Sequence, residues 1–261
     1  MKQSLFLSTV IITTGIVAIL IFWFILGNPG NFRNGEVRTV PDNLLGTVYT
    51  GGVVVPVLIT LTLMDITLVF ERLFSLRKAN GKRSLTAFLK SMQSQLMNGK
   101  VDEAIKECDA QRGSAANIIR TGLERYKAVQ SEKKMDPEKR MAETQRAIEE
   151  ATSLETPLLE RNLIALSTIA SIATMMGLLG TTVGMIRAFT ALAKAGSPDA
   201  IQLSIGISEA LINTALGLLA AIIGIVAYNF FVNKVDAFNY TMDEASYEVL
   251  QLLKSKEVET K

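Results

Sequence analysis

Two apolar stretches carry the polar side chains through which this chain could do chemistry. GLLGTTVGMIRAF (177–189) holds Thr181, Thr182 and Arg187, and GISEALINTALGLLAAIIG (206–224) holds Glu209, Asn213 and Thr214. A hydroxyl both donates and accepts a hydrogen bond, a carboxylate takes up and releases a proton, and a guanidinium keeps its charge. Inside a bilayer such groups are expensive, so they mark proton or ion paths or polar contacts between helices. If the stretches form antiparallel helices joined by a hairpin around Pro198, Thr181 lies 17 residues before that proline and Thr214 16 after it, at similar depth. Two hydroxyls at one level offer a step for a proton. The competing reading is that each threonine bonds its own carbonyl four residues back and only packs. Arg187 and Glu209 each lie eleven residues from Pro198. That leaves two readings for the glutamate: paired with Arg187 as a permanent charge, or unpaired and able to titrate.

The elements that must hold these groups are helices with small faces. Ser167, Ser171, Thr174, Gly177, Thr181, Gly184 and Ala188 recur three or four apart, as do Gly206, Ala210, Asn213, Gly217, Ala221 and Gly224. Each set therefore falls on one side of its helix. Lipid gains nothing from such a stripe. Gly177, Gly180 and Gly184 on one helix and Ala210, Gly217 and Ala221 on the other are expected to form a helix-packing face or to border a water-accessible cavity.

Composition sets the solvent. With 49% hydrophobic and 20% charged residues and a mean hydropathy of +0.30, the chain is too apolar for a soluble domain and reads as an all-α membrane protein. A formal net charge of +2 makes no field for nucleic acid. The absence of histidine and the single cysteine, Cys108, remove imidazole catalysis, histidine-ligated metals and an internal disulfide. No phosphate-binding loop ending in GK[ST] occurs. Neither an enzyme nor a cofactor is expected, and Cys108 reads as a bland, semi-buried thiol.

Four transmembrane helices with long cytoplasmic helical extensions follow from the order of the chain. Residues 5–26 are uncharged and long enough to span, giving an N-terminal transmembrane anchor over 1–27. A cleaved signal peptide fits less well, since Lys2 stands alone and no small-residue cleavage site follows Phe24. Residues 28–47 are expected to be a periplasmic linker and 48–70 the second transmembrane helix. Arg72, Arg77, Lys78, Lys82 and Arg83 then mark the cytoplasmic side. Asp65, in that span, is either functional or snorkels towards a nearby cation. A cytoplasmic helical domain occupies 71–162, with breaks at Gly99 and Gly113. Its last long helix begins at Asp136–Pro137 with an apolar stripe of Ala147, Ala151, Leu154 and Leu158. That helix is expected to kink at Pro157 and run almost unbroken into the third transmembrane helix, 163–192. A periplasmic hairpin covers 193–200, the fourth transmembrane helix 201–233, and a cytoplasmic C-terminal helix and tail 234–261. Phe238, Met242, Ala245, Val249 and Leu252 make an amphipathic seam there, and fraying is expected from about Ser255. Both termini come out cytoplasmic.

At GLLGT (177–181), the following VGMIRAF, GISEALINTALGLLAA, the exit YNFF from Tyr228 and the pair Glu71–Arg72, the chain resembles the ExbB/TolQ branch of the MotA/TolQ/ExbB proton-channel family. The resemblance covers about 48–253. It implies an inner-membrane subunit that forms a homopentameric ring around a single-span partner like ExbD or TolR. That partner carries an intramembrane aspartate, and a TonB-like envelope-spanning protein acts beyond it. By that likeness Thr181, Thr214 and Glu209 line the proton pathway, and the proton motive force drives import or envelope maintenance at the outer membrane. The extra span 5–26 and Arg187 depart from the family pattern. A flagellar or gliding stator of the MotA type is the nearest alternative, though GLLGT stands where that branch has a PAxG-like segment. A non-conducting membrane scaffold is the alternative of a different kind.

Overall fold

Among the described residues, four helices are long and apolar enough to cross a membrane. The structure, a computed structural model, describes residues 2–35, 37, 40–131, 135–194 and 200–259. The hairpin expected at 193–200, with Pro198, falls largely on residues 195–199, outside the described ones. Among the described residues the fold is all-α, with one isolated β-bridge between Phe32 and Pro41. The chain divides into two compact units, Met1–Phe70 with Asn162–Asn229, and Glu71–Arg161 with Phe230–Lys261.

In the first, membrane unit, α1 (Lys2–Leu20) continues into a π-helical turn, Ile21–Leu26. It buries one residue in four: Val10, Thr14, Ala18, Phe22 and Leu26. The opposite side exposes Ile12, Ile16, Ile19 and Trp23, as a lipid-facing helix should. Phe22 stacks on Tyr49 with ring centroids 4.5 Å apart, and Phe32, Val55 and Leu26 complete a small apolar cluster. The segment after the π turn folds back on it. Asn31 Nδ2 donates to the Ile25 and Leu26 carbonyls at 2.7 and 3.0 Å, satisfying helix-end acceptors that have no other partner in the ladder.

The second span begins later than residue 48. A short helix α2 (Leu44–Tyr49) ends in the turn of Gly51 and Gly52, and α3 starts only at Val54 and runs to Asn80. Gly52 takes φ +72°, open to glycine at little cost, and Pro56 in the first turn of α3 removes a donor that has no helical partner there.

Helices α8 (Leu163–Lys194) and α9 (Ala200–Glu259) pack through the small faces. A Cβ on Gly217 would lie 2.7 Å from the Ala173 carbonyl and 2.8 Å from Gly177 Cα. On Gly184 it would meet Ala210 N at 2.7 Å, and on Gly206 Ala188 Cβ at 2.7 Å. The partners climb α9 as they descend α8, so the helices are antiparallel. Ala210 and Ala221 are buried in the unit as well.

The second, polar unit packs large side chains instead. Helices α4 (Leu85–Met97), α5 (Val101–Gln111) and α6 (Ser114–Gln130) and the end of α9 close on Phe88, Met92, Leu96, Cys108, Ile119, Leu123, Val249 and Leu253. Gly99, at φ +72°, separates α4 from α5. At the next break the left-handed residue is Arg112, φ 54°, not Gly113. Gly113 is small because a Cβ there would come 2.6 Å from the Ala79 carbonyl.

Helix α7 (Pro137–Glu160) departs from the expected stripe. Its buried residues are Thr144, Ile148 and Leu159, whereas Leu154 and Leu158 are exposed. Ile148 fits against Gly122 of α6, where a Cβ would strike its Cγ1 at 2.4 Å, and this contact fixes the inward face. The helix passes Pro157 and stops at Glu160. Asn162, at φ 62°, breaks it from α8, so the two are not continuous. Arg72, almost fully buried, donates to the Leu159 carbonyl at 3.2 Å and forms a two-pronged pair with Glu71, so a guanidinium closes the last turn of α7. Nor does the chain fray at Ser255. The helix reaches Glu259, and Glu257 accepts from Tyr126 Oη at 3.1 Å and pairs with Arg140 at 2.6 Å.

Candidate functional site

The antiparallel packing of α8 on α9 decides where the polar groups meet. Gly177 and Gly217 bring the backbones together, and between this contact and the one at Gly184 the hydroxyls of Thr181 and Thr214 are hydrogen-bonded to each other. Thr181 Oγ1 also reaches the Gly177 carbonyl at 3.1 Å and the Ala210 carbonyl at 3.3 Å, and Thr214 Oγ1 reaches that Ala210 carbonyl at 3.4 Å. Each hydroxyl has one hydrogen, so the pair cannot satisfy every carbonyl and still bond to itself. One threonine must donate across the helix contact while the other donates to a carbonyl. Both side chains are half-buried, and Thr181 borders an open groove with Thr182, Met185, Ile186 and Phe189.

About one and a half turns earlier on α9, Glu209 is buried and pairs with Arg187 Nη1 at 2.5 Å, while Arg187 itself is 53% exposed. The depth match counted from Pro198 is thus realised as contact. Gly52 makes room for the carboxylate, since a Cβ there would lie 2.8 Å from Oε1. The pair borders a cavity of about 520 Å³ walled by Phe22, Trp23, Tyr49 and Pro56.

Asn213 lies between the two pairs. It is fully buried, and its Nδ2 donates to the Gly51 carbonyl at 3.0 Å. Gly180 seats it, for a Cβ there would fall 2.4 Å from Asn213 Cβ. This amide ties α9 to the turn that precedes α3. Among the described residues, Thr182 bonds the carbonyls of its own helix, Leu178 and Leu179, and not those of α9.

A family model described as the MotA/TolQ/ExbB proton channel family matches residues 110–244. The chain belongs to the MotA/TolQ/ExbB proton channel family. It is 32% identical over 178 residues to the Tol-Pal system protein TolQ of Pseudomonas aeruginosa, which covers 67% of this chain and 76% of that protein. It is 40% identical over 88 residues to the biopolymer transport protein ExbB of Pseudomonas putida, covering 34% of this chain and 27% of that one. Against the ExbB of Salmonella typhimurium the identity is 35% over 94 residues, covering 36% and 38%. The chain therefore spans well under half of these two ExbB proteins. These likenesses set it in the ExbB/TolQ branch, among membrane channel subunits rather than enzymes.

For this member of the ExbB/TolQ branch, one feature of the site escapes a reading of the sequence, and one residue singled out there, Asp65, is placed differently from the snorkelling or cation-paired alternative. The turn Gly51–Gly52, which frames both Asn213 and Glu209, lies inside a stretch that reads as uninterrupted helix. Its only signal is the glycine pair itself. Asp65 neither snorkels nor finds a cation. It is completely buried, and both carboxylate oxygens lack a hydrogen-bond partner among the described residues.

Proposed function

We propose that the chain is the ring-forming subunit of a proton-driven motor of the inner membrane. It works with an ExbD/TolR-like single-span partner whose intramembrane aspartate exchanges protons with the hydroxyl pair. The observation that carries this reading is the Thr181–Thr214 contact, two hydrogen-bonded hydroxyls at one level of a close helix pair, half-buried beside an open groove. Such a pair passes a proton by accepting on one oxygen and releasing from the other. The membership in a proton channel family supports the same reading. Glu209, held by Arg187, then fastens α8 to α9. In the proposed topology 28–47 and 193–200 face the periplasm, while 71–162, 234–261 and both termini are cytoplasmic. Arg77, Lys78, Lys82 and Arg83 after α3 and Lys234 support that orientation. A homopentameric ring around the partner would couple the proton motive force to work at the outer membrane.

Proton flux in liposomes holding the chain and its partner tests this, with assembly followed in parallel. Thr181→Val with Thr214→Val is expected to lower flux at least ~10-fold, equivalent to ~1.4 kcal/mol on the barrier, with the ring intact. Unchanged flux in the assembled double variant returns both threonines to packing and favours a non-conducting scaffold.

A further inference from the structure

Asp65 has no role in that reading, yet its surroundings are specific. It is 0% exposed on α3, and neither of its oxygens has a hydrogen-bond partner among the described residues. It faces Gly224 of α9. A Cβ on that glycine would lie 3.1 Å from Asp65 Oδ2, 3.0 Å from Ala170 Cβ and 3.2 Å from the Leu166 carbonyl oxygen. The glycine leaves space for the carboxyl, and α8 brings a backbone carbonyl to the same spot.

Other charged or titratable groups on the surrounding helices are remote or engaged. On α8, Arg187 is 17 positions from Ala170; on α9, Glu209 is 15 positions before Gly224 and Lys234 is 10 positions after it, its ammonium over the Phe230 ring at 5.7 Å. At roughly 1.5 Å per residue all three lie about 15 Å or more away along their helices. Tyr228, one turn beyond Gly224, makes no hydrogen bond to Asp65. Glu71 and Arg72, six and seven positions further along α3, are bonded to each other. The run Leu5–Leu26 carries no ionisable side chain. An ionised carboxylate here is an unpaired charge held out of water, the least favourable state of the group. The protonated acid is neutral and gains a donor, and a helix carbonyl keeps a free lone pair to accept it.

We propose that Asp65 is a proton-binding seat, a neutral carboxylic acid in the resting protein that releases and regains its proton during transport, about 15 Å further along α9 than the hydroxyl pair. The step is one proton transfer. The carboxyl O–H bond breaks, its electron pair stays on the carboxylate, and the proton leaves on a water molecule as hydronium; the reverse transfer reloads the seat. The part in transport rests on the proton-channel reading. The resting protonation does not.

Infrared spectroscopy of the full chain in lipid tests the occupancy. Wild type is expected to show the carbonyl band of a protonated carboxyl at neutral pH, shifted in deuterium oxide, absent in Asp65→Asn and regained in Asp65→Glu. Loss of a carboxylate band in Asp65→Asn, with no change in the protonated-carboxyl region, overturns it. Flux through the chain with its partner tests the turnover: Asp65→Asn, folded and assembled, is expected to fall at least ~10-fold, with partial recovery in Asp65→Glu. Full flux in Asp65→Asn overturns the seat's part in transport. If the threonine double variant conducts normally while Asp65→Asn does not, the hydroxyl reading fails and the seat stands. If wild type moves no protons, the transport reading and the seat's part in it fail together, and the infrared result still decides the resting protonation.

Discussion

The two units are both helical, but they are held by opposite means. In the membrane unit α8 and α9 meet where side chains have been removed: Gly177 against Gly217, Gly184 against Ala210, Gly206 against Ala188. In the polar unit the helices meet where side chains are largest, on Phe88, Met92, Ile119 and Leu123. Water drives the second arrangement, since each fully buried apolar side chain contributes about 1.5–3 kcal/mol. Lipid offers no such drive between helices, so closeness must come from small residues and a few hydrogen bonds. A second contrast follows from the first. Three buried polar groups in the membrane unit abut a glycine: Glu209 beside Gly52, Asn213 beside Gly180, Asp65 beside Gly224. Glycine thus serves two ends in this unit, close helix approach at Gly177, Gly184, Gly206 and Gly217 and room for a polar side chain at Gly52, Gly180 and Gly224.

The largest effect should be in the polar unit. Phe88→Ala is expected to cost about 3–5 kcal/mol in denaturant unfolding of the full chain, the price of a cavity in a close-packed core. Adding a single methyl to the membrane unit should be next. In Gly180→Ala the new Cβ must push Asn213 off its bond to Gly51, an expected loss of about 1–3 kcal/mol followed by thermal unfolding in detergent. A neutral Gly180→Ala would break the comparison, because it would mean that this helix contact has slack.

Arg187→Gln should cost less, about 1–2 kcal/mol, because half of the guanidinium already faces outward and the figure for a fully buried pair must be discounted. Adding Glu209→Gln should recover most of the loss, since the damage is the carboxylate left buried alone. No recovery in the double variant would remove the ion pair as the reason.

Much of this arrangement was legible in the sequence. The shared depth of Thr181 and Thr214 and of Arg187 and Glu209 follows from counting along two helices, because a helix has a fixed rise. The small faces are equally plain, since glycine and alanine at three and four apart have few other uses in an apolar helix. What could not be read depends on partners far away in the chain. The inward face of α7 is chosen by Gly122 receiving Ile148, and leucine spacing alone favoured Leu154 and Leu158. The order at Glu257 depends on Tyr126 and Arg140, more than a hundred positions earlier. The start of α3 turns on the left-handed Gly52, whose neighbours on both sides would suit a helix.

pH sharpens the same contrast with smaller effects. Burial, and then the Glu257 carboxylate, push the Tyr126 phenol up to about 12 from its usual 10.0. Between those values the folded chain keeps a proton that the unfolded chain has lost, so stability falls as pH rises through this window. Tyr126→Phe should flatten that part of the profile in alkaline unfolding. The smallest effect is on Cys108, which burial and then Asp109 and Glu107 push up to about 12. Alkylation at neutral pH should leave it unmodified in the folded chain and label it fully in denaturant. Labelling of the native protein would show that the polar core opens.

The hydroxyl pair at Thr181 and Thr214 also has a sense of direction. With two hydrogens to distribute among each other, Gly177 and Ala210, it has two orderings, one pointing from α8 to α9 and one pointing back. On the proposed proton path, a proton that crosses would leave the link reversed, and a second could not follow by the same route until both hydroxyls had swung round. Turnover through such a link is therefore set by a reorientation after each passage as well as by the hop itself. Anything that braces one ordering, such as a charge stationed on one side of the pair, makes the membrane unit a rectifier.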